Sequence, residues 1–230
     1  MSASYAAARA QDPELGFTEW LRRQAEPHWT AMTTHRFARE LGAGTLPRPV
    51  MARYLQQDYL FVDAFVSLLG QAVAQAPGMP SKRRFAGFLA AVTSGENDYF
   101  LRAFEALGVS EEDWRHATPH PVTAAFLDLL RQTNESGRYA SIVAVLLAAE
   151  WSYLTWAQAC PPEKPEAFWL SEWIDLHAEP AFLAFVGWLR AECEVVGEAA
   201  DEATRGEMAG LFRRMMALEE AFFEAAYQAG

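Results

Sequence analysis

Glu150 is the only charged residue in the apolar segment VAVLLAAEWSYL, residues 143–154. An α-helix turns by about 100° per residue, so residues three, four or seven positions apart share a face. The face of Glu150 carries Val143, Leu146, Leu147, Tyr153, Leu154 and Ala157. An unpaired buried carboxylate is costly, so it must be paired, protonated or placed at a wet pocket. Glu150 is therefore a candidate functional residue.

Two other acids show the same pattern. The face of Asp58 carries Tyr54, Leu55, Phe61, Val62 and Phe65, and that of Glu219 carries Phe212, Met215, Met216, Phe222, Phe223 and Ala226. Glu220 instead shares a face with charged residues, which predicts a more solvated position. One acid on an apolar stripe is usually a hydrogen-bonded core residue. Three such acids, flanked by aromatic residues, favour a shared pocket between the helices of a bundle.

Carboxylates and aromatic rings in one pocket suit two kinds of chemistry. Di-iron sites in bundles normally use Glu-x-x-His pairs. The sequence contains no such pair, so we expect no metal site. Asp113 and His116 have a similar spacing, but we interpret them as part of a surface turn. An aromatic amine fits better. Aromatic walls stack a flat ring, one carboxylate pairs with its nitrogens, and a second carboxylate transfers a proton. This suits an aminopyrimidine more than a sugar or a phosphate.

The elements that must position these residues are helices. Helical spacing predicts segments at 14–31, 48–75, 81–107, 121–135, 138–159, 166–192 and 200–228, with prolines between them and Pro180 breaking the sixth. Strand-like alternation is missing. The sequence predicts a loose tail at 1–13 and a single all-α domain at 14–230, a bundle of about seven or eight helices.

Composition narrows the function classes. The 230 residues carry a formal net charge of −11 and no basic cluster, which argues against nucleic-acid binding. No signal peptide and no apolar run of about 18 residues is apparent, so we expect a cytoplasmic protein without a membrane partner. Cys160 and Cys193 lack zinc-ligand spacing. We expect both to be reduced and buried.

Four segments carry a family resemblance. They are THRFARELGAGTLPRPVMARYLQQDYLFVDAF, GENDYFLRAFEALGVSEEDW, ESGRYASIVAVLLAAEWSYLTWAQAC and MALEEAFFEAAY. In this order they resemble the TenA/thiaminase II family over most of residues 28–228. The resemblance implies the haem-oxygenase-like all-α fold, no bound haem and a homo-oligomer, either a dimer or a tetramer.

The resemblance also implies roles for individual residues. Asp58 matches the acid that holds the pyrimidine amino group and ring nitrogen, and Glu219 matches an acid that gains and loses a proton during turnover. Tyr153 matches a tyrosine that hydrogen-bonds near the nucleophile. Phe61 and Phe65 fall at aromatic wall positions. His177 falls near a position often occupied by tyrosine.

One departure from the family pattern is informative. The better-known subgroup has a nucleophilic cysteine four residues before the tyrosine, where this chain has Ala149. A second subgroup carries Glu three residues before the tyrosine, as Glu150 does here. The chain therefore resembles this Glu-type subgroup, which implies hydrolysis of 4-amino-5-aminomethyl-2-methylpyrimidine, or of its N-formyl form, in thiamin salvage rather than efficient cleavage of thiamin. Glu150 would then activate water, with Glu219 as its acid/base partner and without a cofactor.

Other functions stay open from the sequence. The protein could be a non-catalytic or regulatory protein that binds a small aromatic molecule. An oxidase of the same fold is a weaker alternative, because its pocket should carry His and Arg residues that these three stripes do not show. Asp58 could also be a core acid paired with Arg53, and Tyr153 could serve packing alone.

Overall fold

The computed structural model of the protein describes residues 4–228, which contain thirteen α-helical segments and no strand. Eight of these helices have eleven or more residues. They are α1 Tyr5–Gln11, α2 Phe17–Gln24, α3 His28–Thr33, α4 Arg36–Gly42, α5 Arg48–Gln75, α6 Met79–Ala91, α7 Asn97–Leu107, α8 Glu111–Arg115, α9 Pro121–Ser136, α10 Tyr139–Gln158, α11 Phe168–Ala178, α12 Pro180–Ala199 and α13 Glu202–Ala225.

The predicted all-α class is confirmed, and the eight long helices agree with the predicted number. Helix α5 covers the predicted 48–75, and the predicted break at Pro180 separates α11 from α12. Two predicted helices are interrupted. Residues 14–31 divide into α2 and α3, and the predicted 81–107 contains a π-helical turn, Val92–Glu96, between α6 and α7.

The prediction of a loose tail at 1–13 is wrong for residues 5–11, which form α1. Tyr5 is 1% exposed, and its ring packs against Phe17 and Trp20 at centroid distances of 5.1 and 5.5 Å. Its hydroxyl donates to Glu198 Oε1 at 2.7 Å. This aromatic contact with α2 anchors α1, because burying an aromatic side chain stabilises by about 1.5–3 kcal/mol. Residues 1–3 and 229–230 lie outside the described residues.

Helix α10 is the centre of the bundle. All its residues from Ser141 to Leu154 are buried, and it packs against α3, α5, α9, α11, α12 and α13. By length and composition alone, α10 is long and apolar enough to cross a membrane. However, 89% of its most apolar window is buried inside the protein, as in the core helix of a bundle. Glu150 is thus held at the centre of the fold.

Candidate active site

A cavity of about 660 Å³ lies between α5, α6, α10, α11, α12 and α13. The structure brings all the predicted site residues to its lining, namely Asp58, Phe61, Phe65, Glu150, Tyr153, His177 and Glu219. The volume falls within the range of small-molecule sites, about 300–1,000 Å³. The predicted convergence of three helical stripes is therefore present in the fold, while the chemical role of each residue stays a prediction.

The three acids of the cavity are deeply buried. Asp58, Glu150 and Glu219 are 4%, 7% and 2% exposed. Within residues 4–228, none of them forms an ion pair. Arg53, considered from the sequence as a partner of Asp58, donates from Nε to the Ala226 carbonyl at 2.9 Å instead. The acids thus lack a structural counter-ion in this part of the chain, which is expected of groups that await a ligand.

Burial and mutual repulsion raise the pKa of each acid. Burial is the largest cause at Glu150, whose pKa is raised further by the charges of Glu96, Glu219 and Asp58. Burial and the Glu96 charge raise the pKa of Asp58, against a hydrogen bond from Tyr54 that lowers it. At Glu219 the causes are burial and then Asp58. Such coupled acids lose their protons in separate steps, so protonated and ionised carboxyls can coexist in one site.

Tyr153 and His177 extend the polar lining. The hydroxyls of Tyr153 and Tyr54 share a hydrogen bond of 2.8 Å, and the rings of Tyr153 and His177 lie 4.9 Å apart. His177 Nδ1 lies 2.8 Å from the Trp173 carbonyl oxygen. A carbonyl can only accept, so Nδ1 carries the proton, and Nε2 of the neutral ring is an acceptor. Burial lowers the pKa of His177 to about 4, so the ring is neutral at pH 7.

Aromatic rings form two walls of the cavity. Phe61 and Phe65 stack with centroids 5.5 Å apart and planes inclined by 22°. From another side, Phe88 and Phe185 stack at 3.9 Å and 16°, and all four rings line the cavity. Aromatic pairs prefer offset-stacked or edge-to-face packing. A flat aromatic ring can therefore pack against these walls while its polar edge reaches the acids.

Sequence reasoning missed Glu96 and Tyr54. Glu96 is the last residue of the π-helical turn, is partly buried and lines the cavity. It carries the signal that identified the other acids, because Leu89, Val92, Tyr99, Phe100 and Ala103 lie at helical spacing from it. Tyr54 connects Asp58 with Tyr153 through the hydrogen bonds described above. From the sequence, Tyr54 is assigned only to the apolar face around Asp58 and has no polar role.

The thiols lie away from the cavity lining, whereas Ala149 is part of it. Cys193 is buried as expected, but Cys160 is only half-buried. Its Sγ lies 3.5 Å from the Trp156 carbonyl oxygen, and burial raises its pKa to about 11. A thiol with a raised pKa is a poor nucleophile at pH 7 because little thiolate is present. Over residues 4–228, no three His, Cys, Asp or Glu side chains cluster closely enough to hold a metal ion.

A sequence model of the TENA/THI-4/PQQC family matches residues 22–229. The chain belongs to the TENA/THI-4/PQQC family. Proteins named aminopyrimidine aminohydrolase are among the relatives of this family member. The protein from Halalkalibacterium halodurans is 23% identical over 93% of this chain and 96% of its own length. Those from Helicobacter pylori and Bacillus subtilis are 22% and 25% identical over 92% and 93% of the chain, and over 98% and 91% of their own lengths.

Solved structures of TenA homologues share the fold of this TENA/THI-4/PQQC protein. The homologue from Pyrococcus horikoshii superimposes with a TM-score of 0.82 at 22% identity, covering 94% of this chain and 100% of the homologue. The homologue from Pyrococcus furiosus gives the same TM-score at 20% identity, covering 92% and 100%. The TenA all-α fold is therefore confirmed.

Proposed function

We propose that this protein is an aminopyrimidine aminohydrolase of the Glu type, which hydrolyses 4-amino-5-aminomethyl-2-methylpyrimidine or its N-formyl form in thiamin salvage. The observation that carries the proposal is the meeting of Asp58, Glu150 and Glu219 in one aromatic-walled cavity that Ala149, and no cysteine, also lines. Hydrolysis of a C–N bond on a flat amine needs a ring clamp, an activated water and an acid/base partner. The names of the three bacterial relatives support the same reaction.

The burial and coupling of the acids support a role for each. Asp58 would hold the ring amino group and ring nitrogen, since a carboxyl can both accept and share a proton there. Glu150 would take a proton from water, and Glu219 would act as its acid/base partner. Tyr153 would hydrogen-bond near the reacting carbon, held in place by Tyr54 at 2.8 Å.

The walls and His177 would fix the ring. Phe61 and Phe65 would stack against one face of the pyrimidine, because aromatic pairs contribute about 0.5–1.5 kcal/mol beyond burial of area. Neutral His177 would accept a hydrogen bond at Nε2. No cofactor enters this scheme, because the water and the acids supply every proton that moves.

A substrate panel tests the proposed function. The purified protein is incubated separately with the aminomethyl-, formylaminomethyl- and thiamin-type substrates, while ammonia, formate and thiazole are quantified. We expect ammonia or formate from the first two and little thiazole from thiamin. Binding of the pyrimidines without any turnover would contradict hydrolysis and favour the non-catalytic, ligand-binding alternative. Efficient thiazole release would contradict the Glu-type assignment.

We also propose a cytoplasmic homo-oligomer, either a dimer or a tetramer. The assembly is implied by the family resemblance, and the acidic net charge of −11 favours a freely soluble protein. Light scattering coupled to size-exclusion chromatography tests the assembly, because the chain mass is 25.7 kDa. A mass of one chain across the working concentration range would contradict it.

A further inference from the structure

Glu96 is an acid of the cavity for which the scheme above has no role. It ends the π-helical turn Val92–Glu96, and its side chain lines the cavity. π-Helical turns occur mostly as single-turn insertions, frequently at functional sites. Within the described chain, the carboxylate of Glu96 makes no hydrogen bond or ion pair. Neither of its oxygens is fully buried. The carboxylate oxygens are therefore open to the cavity and free to bind a ligand.

The charges that face Glu96 are almost all negative. Asp58, Glu150 and Glu219 line the same cavity, and His177 is neutral there. The lining also contains Arg83 and Arg84, both on exposed positions of α6, and a further exposed acid, Glu179. Because the buried charged residues of the lining are all acids, the cavity favours a ligand that brings a positive charge of its own.

Glu96 also acts electrostatically on two of the other acids. Burial alone raises its pKa, to about 7. Its charge in turn raises the pKa of both Asp58 and Glu150. Glu96 thus shares one cavity with the ring clamp Asp58 and the water-activating Glu150. That position suits contact with the ring substituent at which substitution occurs.

We propose that Glu96 binds the protonated amino group of the aminomethyl substituent and so selects the amine over neutral forms of the same pyrimidine. A primary alkylamine, like that of lysine, is protonated at pH 7, and an ammonium–carboxylate pair forms a charge-assisted hydrogen bond. As the water oxygen forms the new C–O bond and Glu150 takes a proton from that water, the electron pair of the C–N bond stays on nitrogen and the ammonium leaves as neutral ammonia. This inference rests on the proposed function, because it identifies the preferred substrate of that same site.

Substitution Glu96→Gln tests this role by comparing a charged with a neutral ligand. The charged ligand is 4-amino-5-aminomethyl-2-methylpyrimidine, measured as KM if it is turned over and as Kd by calorimetry if it is not. The neutral ligand is the hydroxymethyl product, measured as Kd. We expect amine binding to weaken about 10- to 100-fold, the scale of a hydrogen bond to a charged group. Product binding should change by less than about threefold, and Glu96→Asp should restore part of the amine preference.

Asp98→Asn is the matched control, because Asp98 is exposed on α7 two residues away and does not line the cavity. It removes the same charge and should leave the amine-to-product preference unchanged. The inference would be overturned if Glu96→Gln weakened the binding of both ligands equally, or if it left the binding of the amine unchanged. Loss of turnover alone, with product binding and amine preference retained, would instead count against the proposed hydrolysis and leave the role of Glu96 in amine binding supported.

Discussion

Glu96→Gln should stabilise the ligand-free protein at alkaline pH. Burial raises the pKa of Glu96 from its ordinary value of 4.5 to about 7, so the folded state holds its proton more tightly than the unfolded state does. Stability therefore falls as pH rises from about 4.5 to 7, because the folded state must give up that proton. At about 1.4 kcal/mol per pKa unit, the full penalty above pH 7 is about 3 kcal/mol.

The expected gain is smaller than this ceiling, because Glu96 is partly accessible to water in the cavity. We expect Glu96→Gln to raise the free energy of unfolding by about 1–3 kcal/mol at pH 8. Glutamine has nearly the same size, and Glu96 makes no protein hydrogen bond within residues 4–228 that the substitution could break. For a chain of this length, each kcal/mol corresponds to about 2–4 °C in Tm.

Thermal unfolding by calorimetry at pH 4.5 and pH 8, without ligand, measures the effect. The difference between variant and parent should be below about 0.5 kcal/mol at pH 4.5, where Glu96 is protonated in the folded state. Asp98→Asn should stay within about 0.5 kcal/mol at both pH values, as expected of an exposed residue. A Glu96→Gln variant that is equally stabilised at both pH values, or destabilised at pH 8, would refute the reasoning.

Three other predictions concern the reaction. Asp58→Asn should weaken binding of the hydroxymethyl product about tenfold or more with little change in Tm, because an amide cannot share a proton with the ring nitrogen; unchanged affinity in calorimetry would contradict this. Glu150→Gln and Glu219→Gln should each lower kcat by about 10²–10⁴ and remove one limb of a bell-shaped pH–rate profile, whereas Glu220→Gln should have little effect in the same assay. Cys160→Ala should retain activity, since the chemistry needs no thiolate; a folded but inactive variant would exclude the carboxylate mechanism.

The sequence alone determined the helical class and the inward phase of the main acids. The spacing of apolar residues along a helix is a local property of the sequence. A carboxylate that interrupts an apolar stripe therefore lies on the buried face of its helix, whichever helices pack against it. For that reason Asp58, Glu150 and Glu219 could be identified as inward residues without knowledge of their neighbours. The same reasoning predicted a more solvated position for Glu220, and in the structure its Oε2 lies 2.7 Å from His28 Nδ1. Phe61 and Phe65 were predicted as ring-wall residues from the Asp58 face and the family resemblance.

The tertiary structure decided which helix faces meet at the cavity and which other residues line it with them. Tyr54 and Tyr153 are 99 positions apart in the chain, and only the packing of α5 against α10 brings their hydroxyls within 2.8 Å. Helix α1 depends on aromatic contacts with α2, because a seven-residue helix is not stable on its own. The π-helical turn that carries Glu96 adds a residue to its turn and rotates the following residues by about 100°. The sequence predicted one regular helix over 81–107, and a regular 3.6-residue period does not include that rotation.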